Sequence, residues 1–169
     1  MMFLRQLISV ALLPFTVAVV IPSWIVRGAA TPFEWPHRAA DVVTFGAGCV
    51  SIAVGLALFT ASLALFWTRG HGTLAPWDPP RHFVVSGPYR YVRNPMISGV
   101  ILLVVGEALL LRSRAVGEWA GAFAVINFIY IPIVEEPMLE ARFGEAYRAY
   151  KRNVRMFMPR ISPWQPNGR

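Results

Sequence analysis

Apolar residues fall into four blocks separated by polar stretches. Residues 7–26 run for twenty positions without a charge and residues 42–68 for twenty-seven. A third block, 95–111, carries Glu107 near its far end, and a fourth, 116–134, holds Asn127. A helix rises about 1.5 Å per residue, so about 20 apolar residues cross a bilayer core. The pattern predicts an all-α integral membrane protein with about four transmembrane helices in one membrane domain. Gly46, Gly48 and Gly55 in the second block are small residues of the kind that let helices approach closely in lipid. Phe66 and Trp67 close that block where an interfacial aromatic belt is expected. The rival reading of the first block is a signal peptide, since Arg5 precedes it and Gly28–Ala30 follow, but its length exceeds the usual apolar core of about 7–15 residues.

Two polar segments interrupt this scheme. Residues 69–94 form the longest polar break, and Gly70, Gly72, Pro76, Pro79 and Pro80 rule out one long helix there. Ser86-Gly87-Pro88 reads as a turn, and Pro95 suits the first turn of the next helix. Arg112 to Glu118 is a tight loop. After residue 134 the pattern changes. Leu139, Phe143, Tyr147, Tyr150 and Val154 recur three and four apart, with Arg142, Glu145, Arg148, Lys151 and Arg152 on the other faces. That predicts a basic amphipathic helix, broken near Gly144, lying on anionic headgroups. The tail from Pro159 is expected to be irregular.

Composition agrees. Of 169 residues, 56% are hydrophobic and 15% charged, against about 25% charged in soluble domains. The net charge of +7 could serve nucleic acid, but its distribution fits membrane topology better. With four spans, twelve Lys and Arg residues fall on the side of the polar break and carboxyl tail, and four (Arg27, Arg38, Arg112, Arg114) on the other. The positive-inside rule places the break and the tail, residues 135–169, in the cytoplasm, which for a bacterial protein means the inner membrane. No nucleic-acid partner is expected. The lone Cys49 permits no internal disulfide and reads as a small hydrophobe. Glu107 reads as a carboxylate near the membrane edge, within reach of water or Arg112.

The third and fourth blocks form a hairpin, so Asn94-Pro95 and Glu135-Glu136 are expected side by side. His37, His71 and His82 are scattered, which gives no metal-ligand spacing. There is no P-loop and no serine elbow. Aromatic rings, carboxylates and arginines at a membrane surface suit an adenosyl cofactor with a sulfonium. Methyl transfer to an acceptor arriving through the bilayer needs mainly placement.

Three pieces carry a resemblance. They are Gly72-Thr73-Leu74-Ala75-Pro76, GPYRYVRNP (Gly87–Pro95), and EEPMLEARFGEAYRAYKRNV (Glu135–Val154) with Arg155 and Pro159 after it. In order and separation they resemble the isoprenylcysteine carboxyl methyltransferase and phospholipid methyltransferase superfamily, its prokaryotic branch most. The resemblance covers about half of the chain. It implies S-adenosyl-L-methionine as cofactor and a lipophilic or lipid acceptor. Carried over by residue, it implies cofactor contacts at His82, Phe83, Val84, Tyr89, Asn94, Pro95, Met96, Ile97 and Glu135. Arg93 would orient nearby groups, and Arg93 and Glu136 are the candidates for a catalytic role. The structural alternatives are belt aromatics for Tyr89 and Tyr91, a helix start for Pro95, and pairing of Glu135 and Glu136 with Arg142 or other arginines. Many members have His at Asn94 and Tyr at Ile97, and the eukaryotic prenylcysteine enzymes have Arg at Ile131. A prenylcysteine carboxylate is therefore a poor guess for the acceptor. These departures leave a rival reading, a non-catalytic scaffold or accessory subunit that kept the fold.

Overall fold

The computed structural model describes residues 11–29, 35–70, 83 and 85–165. His82, Val84, the Gly72–Pro76 piece and the outer ends of the chain lie outside the described residues. Every regular element among the described residues is helical. A π-helical segment, Ala11–Val20, leads into α1, Ile21–Ala29; α2, Ala39–Leu65, ends in a π turn, Phe66–Gly70. A 3-10 turn, Gly87–Arg90, precedes α3, Pro95–Leu111. The helix α4, Arg114–Tyr130, passes through a π turn, Ile131–Glu135, into α5, Glu136–Asn153.

Two helical stretches, Ala39–Thr68 and Arg114–Asn153, are long and apolar enough to cross a membrane, and Pro14–Gly28 and Pro95–Leu111 are apolar but shorter. The long stretches leave large side chains exposed, among them Val42, Val43, Val50 and Val54 on one and Val125, Ile126, Phe128 and Ile129 on the other. A soluble core helix would bury such residues, whereas lipid accepts them.

The change of composition at residue 135 was expected to end the fourth span. The backbone instead continues. Pro132 has no N–H to reach back along the helix, and the ladder loosens to π spacing, with Glu136 N–H bonded to Ile131 O. The expected loop at 112–118 is also shorter. Arg112 takes a left-handed φ of 48°, the buried Ser113 accepts a long bond of 3.4 Å from Val116 N–H at its hydroxyl, and the helix resumes at Arg114.

The chain divides into two units. One comprises Met1–Ala57 and Gly99–Val125. Here α2 and α3 approach closely through glycines. A Cβ on Gly55 would lie 2.7 Å from Gly99 O, and one on Gly106 would lie 2.8 Å from Gly48 O and 2.5 Å from Ile52 Cγ1. The Ser51 hydroxyl uses this proximity to donate to Leu102 O at 2.7 Å. Trp119 Nε1 donates to Val17 O at 3.0 Å, the carbonyl that a π turn would aim at the missing N–H of Pro22. Arg112 pairs with Asp41 at 3.2 Å rather than with Glu107, and Glu107 keeps a buried carboxylate oxygen without a hydrogen-bond partner.

The other unit comprises Leu58–Ser98 and Ile126–Arg169. The Ser-Gly-Pro turn forms as the sequence predicts. Gly87 has φ 53°, a conformation that favours glycine, and Tyr89 N–H bonds to Ser86 O. Gly144 (φ 56°, ψ −131°) breaks α5 where expected. The apolar stripe of α5 has a different destination from the one expected. Tyr147, Tyr150 and Val154 are buried against Phe83, Val85, Leu139, Phe143 and Trp164, so the stripe builds a protein core instead of facing headgroups. The tail beyond α5 is irregular but tied down. Arg93 N–H and Asn94 N–H bond to Arg155 O and Met156 O, while Arg160 N–H and Trp164 N–H bond to Tyr91 O and Arg90 O.

The glycine contacts give a controlled test. Gly106→Ala is expected to destabilise the detergent-purified protein by about 1–3 kcal/mol, the usual cost of overpacking. Gly46→Ala, whose Cβ meets nothing within 4 Å, is expected to change the unfolding temperature little. Equal shifts for the two variants would contradict the close approach of α2 and α3.

Candidate active site

Three stretches of the second unit supply the polar side chains: the end of the polar break, the π turn ahead of α5, and α5 itself. The 3-10 turn at Gly87–Arg90 sets Tyr89, and the extended step before Pro95 sets Arg93 and Asn94. Tyr89 packs its ring edge-on against Phe66, with centroids 5.7 Å apart. Its backbone carbonyl accepts a 2.7 Å hydrogen bond from the Tyr150 hydroxyl. Burial raises the pKa of the Tyr89 hydroxyl well above its usual value; Ser62 offsets part of the rise and the Glu135 carboxylate adds to it. The phenol therefore stays protonated through the range where a free tyrosine ionises, about pH 10, and remains a hydrogen-bond donor.

The acidic pair divides its partners unevenly. Glu136 is 2% exposed. Its Oε1 lies 3.1 Å from Arg93 Nη2 and its Oε2 lies 2.8 Å from Lys151 Nζ. Lys151 also reaches Glu140 at 2.7 Å. Glu135, one residue earlier, has no ion-pair partner among the described residues. The Arg142 guanidinium lies over the Phe143 ring at 5.6 Å, so the cations that meet the pair are Arg93 and Lys151.

The sequence-derived residues separate into groups. Tyr89 and Arg93 meet Glu135 and Glu136, whereas the hairpin argument named Asn94-Pro95 as the neighbours of that pair. Phe83 turns its ring into the aromatic core, with centroids 5.2 Å from Phe143, 5.4 Å from Tyr150 and 5.7 Å from Tyr147. Asn94 spends its side chain on the tail, its Nδ2 lying 3.5 Å from Met156 O, and its backbone carbonyl accepts the Ser98 hydroxyl at 2.8 Å. Pro95 and Met96 are buried and Ile97 is half-buried. The sequence reading passed over Lys151, Phe66 and Tyr150. For Lys151 a signal existed: Glu136 and Glu140 lie four apart before the Gly144 break, and Tyr147 and Lys151 four apart after it, so each pair shares a face of its own half of the helix.

The phospholipid methyltransferase family model matches residues 45–146, more than half of the chain. The chain belongs to the phospholipid methyltransferase family. No curated protein and no solved structure matches it. The phospholipid methyltransferase match takes in Phe66, Tyr89, Arg93, Asn94, Glu135 and Glu136. Tyr147, Tyr150, Lys151 and the tail that crosses Arg90–Asn94 fall beyond it. The family is one of methyltransferases, and the two long apolar helices fit a membrane protein.

The ion cluster predicts a stability ranking. Glu136→Gln leaves Arg93 buried without its counter-charge, and the expected loss is about 3 kcal/mol. Lys151→Ala removes a cation that is 38% exposed, and a loss of about 1 kcal/mol or less is expected. Chemical unfolding of the two variants in detergent checks the order.

Proposed function

We propose that the protein transfers a methyl group from S-adenosyl-L-methionine to a lipophilic acceptor delivered by the bilayer. The observation that carries this reading is the convergence, in one unit, of Tyr89 and Arg93 with the Glu135-Glu136 pair. When bound, the cofactor supplies an electrophilic methyl group on a positively charged sulfur. The residues present fit such a ligand. Glu135 is a half-buried carboxylate with no ion-pair partner among the described residues and beside a second carboxylate, an environment that favours a positive group. The neutral Tyr89 hydroxyl and the Phe66 ring add a donor and an apolar wall. Glu136 is held in place by Arg93 and Lys151, which fixes the pair without drawing on the ligand.

A base need not come from the protein when the acceptor is a thiolate or a carboxylate. For an amine acceptor, proton uptake by Glu136 would disrupt an ion pair at one of its oxygens, so water takes the proton in this reading. Ile131 is 1% exposed and places no charge one turn before the pair, which supports a neutral or amine-bearing acceptor over a prenylcysteine carboxylate. The excess of Lys and Arg on the side of the polar break supports a cytoplasmic site, at the inner membrane if the protein is bacterial.

Binding of S-adenosylhomocysteine to the detergent-purified protein tests the reading. The wild type is expected to bind. Glu135→Ala is expected to weaken binding by roughly 10- to 100-fold, the effect of losing a charged hydrogen bond of about 1.5–3 kcal/mol. Absence of wild-type binding at millimolar ligand would overturn it.

A further inference from the structure

We infer that Arg93 is the receptor for an anionic oxygen group, a carboxylate or a phosphate, on the ligand whose positive group faces Glu135. The inference rests on the methyl-transfer reading for the identity of that ligand. Its starting point is the guanidinium itself. The Arg93 side chain is only 12% exposed. Its Nη2 lies 3.1 Å from Glu136 Oε1, while Nε and Nη1 are buried and, like that Oε1, have no hydrogen-bond partner among the described residues. A guanidinium carries five N–H donors and is always charged. Leaving buried donors open is unfavourable, so their arrangement calls for an acceptor.

Holding Glu136 does not account for all of these donors: Nε and Nη1 carry three N–H groups, and the one unsatisfied oxygen of Glu136 beside them cannot accept them all. One nitrogen of Arg93 makes that contact, and Lys151 takes the other carboxylate oxygen. A compact ammonium would serve for a single contact. A planar guanidinium is the better group for recognising a carboxylate or phosphate. The local charges agree. Among the described residues, Arg93 and Lys151 balance Glu136 and Glu140, and Glu135 leaves one negative charge over. A ligand bearing a cation and an anion a few bonds apart can place the first at Glu135 and the second against the unpartnered nitrogens of Arg93. Two sources have this chemistry: the amino-acid tail of a nucleoside cofactor, and the headgroup of a zwitterionic phospholipid.

The test uses the full-length protein in detergent as wild type, Arg93→Gln and Arg93→Lys, each first checked for cooperative thermal unfolding. Arg93→Lys keeps a cation for Glu136 and serves as the readout if Arg93→Gln does not fold. Three probes are titrated: S-adenosylhomocysteine, its decarboxylated analogue, and dihexanoylphosphatidylethanolamine. If the cofactor supplies the anion, the variants bind S-adenosylhomocysteine at least tenfold more weakly and the decarboxylated analogue within twofold of wild type. If the lipid supplies it, S-adenosylhomocysteine is held within twofold and the phospholipid at least tenfold more weakly. Folded variants that hold all three probes within twofold of wild type overturn the assignment. A wild type that binds the phospholipid and not S-adenosylhomocysteine overturns the methyl-donor reading and leaves the lipid arm to decide on Arg93. A wild type that binds none of the three overturns both.

Discussion

A carboxylate removed from water must be met by positive charge, and in this protein Glu136 is that carboxylate. It draws one cation from the polar break and another from the far end of α5. Those residues are 43 positions apart before Glu136 and 15 after it. Breaking the Arg93 contact separates two buried charges, whereas Lys151 is 38% exposed and can turn to water, so the polar break cannot leave α5 without a large energetic penalty. The backbone reinforces this. The tail crosses Arg90–Asn94 with four main-chain hydrogen bonds, and the Tyr150 hydroxyl holds the carbonyl of Tyr89. The site side chains are thereby presented from backbone that is fixed on both sides, which is what placement-driven chemistry requires.

The apolar environment imposes a second constraint, and the chain meets it by different means. Where helices meet each other, glycines remove side chains so that backbones approach, and a serine hydroxyl bonds a carbonyl across the gap. Where proline removes an N–H, the helix loosens into a π turn, or an indole supplies the donor in its place. In lipid each unsatisfied backbone group is costly. These irregularities therefore keep long helices continuous through proline instead of ending them.

That continuity explains much of what the sequence pattern showed and what it concealed. Local signals read correctly. The third block spans Pro95–Leu111 with Pro95 at its start, Gly144 breaks α5, and Ser86-Gly87-Pro88 turns. Each of these depends on one or two residues and their own dihedral preferences. The continuity at residue 135 was not legible, because a change from apolar to charged residues carries no sign of whether the backbone stays helical, while Pro132 only changes the helical pitch. The stripe of Leu139, Phe143, Tyr147, Tyr150 and Val154 was visible as periodicity. Its partner was not, since Phe83, Val85 and Trp164 come from segments with no periodic pattern of their own. Phe66 looked like a belt aromatic for the same reason: the ring it meets, Tyr89, lies across a polar stretch whose path no local rule specifies.

The departures from the superfamily pattern take on a definite meaning in this setting. Ile131 occupies the position where a cation serves the substrate carboxylate in the eukaryotic prenylcysteine enzymes, and it is buried inside the π turn. A guanidinium there would need a counter-charge in an apolar surround. A cation does stand beside the acidic pair, and in the proposed reading the function falls to Arg93, which contributes one nitrogen to Glu136 and has two buried nitrogens without a hydrogen-bond partner among the described residues. Moving the cation from the turn ahead of α5 to the polar break changes the direction from which an anionic group is held. If the proposed reading holds, selectivity for the acceptor follows from the geometry between Arg93 and Glu135 more than from the residue one turn before the acidic pair.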